Sequence, residues 1–161
     1  MPTAESGAGM TAADQFHVGI VVDDPAATMS DLTALFGYEW ADELGGVVSV
    51  SGPDGDGTIT LQAWYSTSEP RLEIVQSVPG TVWTPAEGSG VHHLGYWVDD
   101  VAAGSAELER RGYPVEVVGR RPDGAAYWAY HRSPSGPRVE LVSRSLRPTM
   151  ESYFATGSVP S

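Results

Sequence analysis

The sequence predicts an α+β domain built from two tandem βαβββ modules, and three observations carry that prediction. The first is an internal repeat. With His17 laid over His93, "HVGIVVDDPAATMSDLTAL" matches "HLGYWVDDVAAGSAELERR" at eight of nineteen positions. The second is that both halves close on one theme, "RLEIV" at 71–75 and "RVELV" at 138–142. The third is periodicity: each half has one helix-like stretch among short β-branched or aromatic runs.

Each element has a local cause. "FHVGIVV" and "HHLGYWV" read as strands. Asp24 followed by Pro25 is an N-cap and first-turn pair for a helix over 25–36, stopped by Gly37. Asp100 caps the equivalent helix at 101–111, closed by Gly112. Strand-like segments follow at 46–51, 58–65 and 71–76, with "GPDGDG" as a turn, and at 114–118, 125–131 and 137–143, with "RPDG" and "SPSG" as turns. The organisation is a leader over 1–14, expected to be disordered, and a single domain over 15–145. That domain divides into a module at 15–76, a linker at 77–90 and a module at 91–145. Residues 146–161 form a C-terminal tail or short helix, where Met150, Tyr153 and Phe154 have helical spacing.

Composition narrows the chemistry. No cysteine is present, which excludes disulfides, thiolate metal sites and cysteine nucleophiles. Lysine is absent too, which removes Schiff-base chemistry. A net charge of −12 argues against nucleic acid and anionic membranes as partners. No signal peptide or membrane-length apolar run is visible, so the expected location is the cytoplasm, and the expected partner a small molecule.

Strand alternation decides which side chains share a face. His17, Gly19 and Val21 point one way; His93, Gly95 and Trp97 do the same in the second copy, placing His92 on the opposite face. Glu73 and Glu140 sit between bulky apolar neighbours, where a lone carboxylate is costly unless solvated, paired or bound to a metal. If a pseudo-two-fold axis relates the copies, two imidazoles and two carboxylates meet, a donor set suited to one divalent first-row metal such as Ni, Co, Zn, Mn or Fe. The bland alternative is two half-buried histidines and two solvated glutamates copied by duplication.

The motifs "FHVGIVVDD", "GVHHLGYWVDDV" and "SPSGPRVELV", in this order, resemble the vicinal oxygen chelate superfamily over about residues 15–145. That superfamily includes glyoxalase I, methylmalonyl-CoA epimerase, extradiol dioxygenases and bleomycin-binding proteins. The resemblance implies a curved eight-stranded mixed sheet, the glyoxalase/bleomycin resistance/dioxygenase fold, cupping one metal held by His17, Glu73, His93 and Glu140. It also implies a homodimer. The expected activity is a metal-dependent isomerase, epimerase or lyase working through a metal-chelated enolate of an apolar or acyl substrate, with Glu140 or Glu73 as base. The alternatives are a small-molecule binding or self-resistance protein without turnover, and an Fe(II)-dependent dioxygenase. Gln62 stands where the epimerases carry a catalytic glutamate on the third strand of the first module. Gln62, Trp64, Trp97 and Tyr130 are the expected substrate contacts. His131, expected at the surface, is a secondary candidate, and Arg120 and Arg121 are rim charges.

Overall fold

The computed structural model describes residues 9–160. Its first module runs β1 (Gln15–Val22), α1 (Pro25–Phe36), β2 (Leu44–Gly52), β3 (Gly55–Tyr65) and β4 (Leu72–Gln76). The second runs β5 (His93–Val98), α2 (Val101–Arg110), β6 (Val115–Arg120), β7 (Ala126–His131) and β8 (Arg138–Ser143). A last helix, α3 (Arg147–Thr156), follows. The Asp24 and Asp100 carboxylates each accept from a backbone N–H three residues on, at 3.0 Å. Gly37 ends α1 in the left-handed region at φ 74°. Asp24→Ala and Asp100→Ala are each expected to lower stability by about 0.5–2 kcal/mol in denaturant melts, the usual worth of such caps.

The eight strands form one mixed, closed sheet in the order β1-β4-β3-β2-β6-β7-β8-β5. Each module contributes four neighbours, with its first strand parallel to its last, β1 to β4 and β5 to β8. The modules join along two seams. At one, β1 runs antiparallel to β5; at the other, Ser49–Ser51 of β2 pairs with Val118–Arg120 of β6. Both seams lie within one chain, so a single chain completes the cup.

Inward side chains fill the barrel, chiefly Val21, Val75, Trp83, Trp97, Trp128 and Val142. Gly119 makes room for Trp128, whose Cε2 would lie 2.1 Å from a Cβ at that position. Outside, α2 packs Val101 and Leu108 on Ala129 and Leu141. Helix α3 buries Tyr153 and Phe154 against Ala41 and Tyr65. The leader departs from its expected disorder where it is described; its first eight residues lie outside the described residues. Ala12–Asp14 form a 3-10 turn, and Asp14 pairs with Arg144 at 2.9 Å. No helix among the described residues is long and apolar enough to cross a membrane.

Candidate metal centre

Four neighbouring strands, β4, β1, β5 and β8, carry the centre, and the ladder register explains its shape. Gly19 stands beside both Glu73 and His93, while Gly95 stands beside both His17 and Glu140. Each glycine leaves the space that the other module's imidazole occupies. A Cβ on Gly19 would lie 1.9 Å from His93 Cε1, and one on Gly95 would lie 2.0 Å from His17 Cε1. The repeated His-x-Gly is therefore a reciprocal fit across the seam, with each histidine seated over the other copy's glycine.

His17 Nε2 and His93 Nε2 approach to 3.0 Å. His17 Nε2 lies 3.0 Å from Glu140 Oε2 and 3.6 Å from Glu73 Oε1. His93 Nε2 lies 2.9 Å from Glu73 Oε1 and 3.2 Å from Glu140 Oε2. The four donors lie within 4.8 Å of one another, and all four residues are buried. With metal–donor bonds of about 2.1 Å, adjacent corners of an octahedron stand about 3.0 Å apart. Four of these five separations lie between 2.9 and 3.2 Å and match such edges, which fits one divalent ion with two positions left over. The buried Glu140 Oε2, without a hydrogen-bond partner among the described residues, also suits a cation at this point.

Electrostatics follow the same geometry. Burial alone would depress His93, but the facing carboxylates of Glu140 and Glu73 outweigh it and hold the imidazole up at about 9. Burial would raise Glu140, yet His17 and His93 hold it down at about 2. Tyr65 stands opposite Glu73 and Tyr130 opposite Glu140. Burial and the two carboxylates push both phenols well above their usual range, so they stay neutral.

Beside the carboxylates lies a cavity of about 290 Å³, lined by Glu73, Glu140, Tyr65 and Tyr130 and otherwise mostly apolar, with Trp128, Leu61 and Met150 among its walls. Tyr130, an expected substrate contact, lines this cavity. Trp97 faces the interior but stacks on Phe16, ring centroids 3.8 Å apart, and lines a neighbouring cavity of about 320 Å³ that reaches His17.

Gln62 and Trp64 do not face the centre. Leu61, Ala63 and Tyr65 take the inner face of β3, and Gln62 is exposed and donates to Glu43 Oε1 at 3.0 Å. Strand alternation then turns Gln62 and Trp64 to the outer face of the sheet, away from this cavity. His131 is fully buried rather than at the surface, held between Ser105 Oγ at 2.7 Å and the Tyr113 carbonyl at 2.8 Å. His92 precedes β5, so alternation does not govern it, and its ring touches His93 instead of facing away; burial lowers it to about 4. Arg120 and Arg121 flank an outer groove and donate to Ser51 and Ser145.

Sequence reasoning missed Phe16, which lines both interior cavities because the β1–β5 register shifts between Gln15 and His17. It also missed the wall supplied by Leu146 and Met150, whose helical spacing with Tyr153 was the available signal.

Solved structures share the fold. The Streptomyces coelicolor methylmalonyl-CoA epimerase is similar at 22% identity and TM-score 0.55, covering 84% of this chain and 95% of that one. The methylmalonyl-CoA epimerase from Mycobacterium tuberculosis is similar at 17% identity and TM-score 0.56, covering 88% and 91%. A 4-hydroxymandelate synthase from Streptomyces coelicolor is similar at 19% identity and TM-score 0.50, covering 81% of this chain and 38% of that one. At these identities the likeness concerns the fold. No curated protein sequence matches the chain. The family model described as "Glyoxalase/Bleomycin resistance protein/Dioxygenase superfamily" matches residues 16–130, most of both modules, and the chain belongs to that superfamily.

Proposed function

We propose that the chain is a metal-dependent isomerase, epimerase or lyase that removes the proton next to a carbonyl of an apolar or acyl substrate. The observation that carries this reading is the convergence of His17, Glu73, His93 and Glu140 at the edge of a mostly apolar cavity. A divalent first-row ion held by these four would supply Lewis acidity toward two substrate oxygens and so stabilise the charge that develops when the α-proton leaves. The rest falls to the protein. Glu73 and Glu140 reach both the centre and the cavity, so either carboxylate can take the proton once it turns toward the substrate. Tyr65 and Tyr130, kept neutral, stand beside these carboxylates as hydrogen-bond donors.

The cavity wall also selects. No arginine lines it among the described residues, and its formal charges are the two carboxylates. A free acid at the reacting end would find no cationic side chain in this wall, which supports a neutral ketone, ester or thioester there. Two carboxylate donors separate the centre from the two-histidine, one-carboxylate site of iron oxygenases.

Elemental mass spectrometry of the purified protein, with Glu140→Ala beside it, tests the metal. About one equivalent is expected in the wild type and none in the variant. Exchange of a substrate α-proton with solvent deuterium then tests the reaction across neutral ketones and thioesters. Wild-type protein that stays metal-free after reconstitution sinks the proposal; bound metal with no exchange leaves a binding protein.

A further inference from the structure

The geometry points to His92, held by the backbone carbonyl of Val82, as the positioning residue that fixes the proton of His93 on Nδ1. The inference rests on the metal reading above, and it concerns hydrogen-bond polarity, which can be followed atom by atom.

The linker between the modules is folded. Val78 N–H donates to the Trp83 carbonyl at 2.8 Å, Thr81 Oγ1 donates to the Val78 carbonyl at 2.7 Å, and Trp83 N–H donates to Thr81 Oγ1 at 3.0 Å. Trp83 is sunk in the core, and its indole N–H donates to the Tyr130 hydroxyl at 3.4 Å. This tight loop holds the Val82 carbonyl oxygen 2.7 Å from His92 Nε2.

A carbonyl oxygen only accepts, so His92 Nε2 carries a hydrogen. The ring is 1% exposed, and its nitrogens contact only that carbonyl and another imidazole. A second proton would be a buried charge with no carboxylate at either nitrogen, so the ring is neutral and its Nδ1 is a lone pair. His93 Nδ1 lies 2.9 Å from that lone pair and must donate to it. With that proton kept on Nδ1, His93 can give up the one on Nε2 to a bound metal and present a lone pair to the point where His17, Glu73 and Glu140 meet. The chain of polarity runs from Val82 through His92 to His93 Nε2. His17 has no counterpart, because its Nδ1 is buried without a hydrogen-bond partner among the described residues.

The test uses full-length protein, ¹⁵N-labelled at histidine, with Zn(II) as the probe. Long-range ¹H–¹⁵N spectra of the wild type are expected to show His93 protonated at Nδ1, before and after Zn(II). His92→Phe keeps a ring but removes the acceptor, and Zn(II) affinity by competition with a chelator dye is expected to fall about 10- to 100-fold, the usual worth of such a partner. His92→Gln restores an acceptor oxygen and is expected to recover part of that loss. Wild-type affinity in His92→Phe overturns the proposal. So does a wild-type His93 that lacks hydrogen on Nδ1, an outcome readable even if His92→Phe fails to fold. A wild type that binds no Zn(II) overturns the metal reading instead, whereas one that binds Zn(II) with no hydrogen on His93 Nδ1 overturns this proposal alone.

Discussion

Gly95→Ala is expected to empty the centre while changing one hydrogen into a methyl group. The added Cβ would lie 2.0 Å from His17 Cε1, 2.4 Å from Nδ1 and 2.7 Å from Nε2. The His17 ring cannot slide aside, because Phe16 packs against it at 4.4 Å and Tyr65 at 5.4 Å between ring centroids. The ring must therefore leave its rotamer and take Nε2 with it, as in any overpacked core, at about 1–3 kcal/mol. Metal content is expected to fall to background and the melting temperature to drop. Gly57→Ala is the control, since a Cβ there meets nothing within 4 Å. A Gly95→Ala protein with full metal and an unchanged melt would show that the two modules do not interlock as described.

His93→Ala is expected to be costlier still in metal-stripped protein, by about 3–5 kcal/mol at pH 6, because it removes one of the two imidazoles that face the buried carboxylates. The pH dependence is more diagnostic than the size. His93 is raised from 6.5 to about 9, so its contribution is complete below pH 6.5 and disappears as pH rises through 9. Glu140 is lowered from 4.5 to about 2, so its contribution is complete above pH 4.5 and disappears as pH falls through 2. Metal-stripped wild type is therefore expected to be most stable between about pH 4.5 and 6.5. His93→Ala should lose the decline on the alkaline side. Denaturant melts at pH 5, 7 and 9 check this; a variant that keeps the wild-type decline between pH 7 and 9 would mean that another group carries it.

The convergence of these four residues was legible in the sequence because the repeat paired His17 with His93 and the two closing themes paired Glu73 with Glu140, while alternation put the histidines on like faces and apolar neighbours marked the glutamates. Strand β3 was not legible for the opposite reason. "TLQAWY" is apolar at both parities, with Leu61, Ala63 and Tyr65 on one and Trp64 on the other, so alternation alone could not choose between them. The pairing of Tyr65 with Glu73 chooses. Phe16 and His92 escaped because a register shift and a strand end suspend the rule that was applied to them. The linker looked like a connector in the sequence, since nothing in "SVPGTVWTP" announces that its fold hands a carbonyl to His92.

That loop has a consequence for symmetry. Two copies of a module related by a perfect two-fold axis would offer a ligand two indistinguishable poses, and neither carboxylate could be told from the other. The chain between the modules exists only once, and it supports the imidazole of the second copy through His92, while the first copy's Nδ1 has no hydrogen-bond partner among the described residues. A duplicated protein is in this way made unequal about its own axis: one imidazole is held through a hydrogen bond from the linker side, the other by ring packing alone.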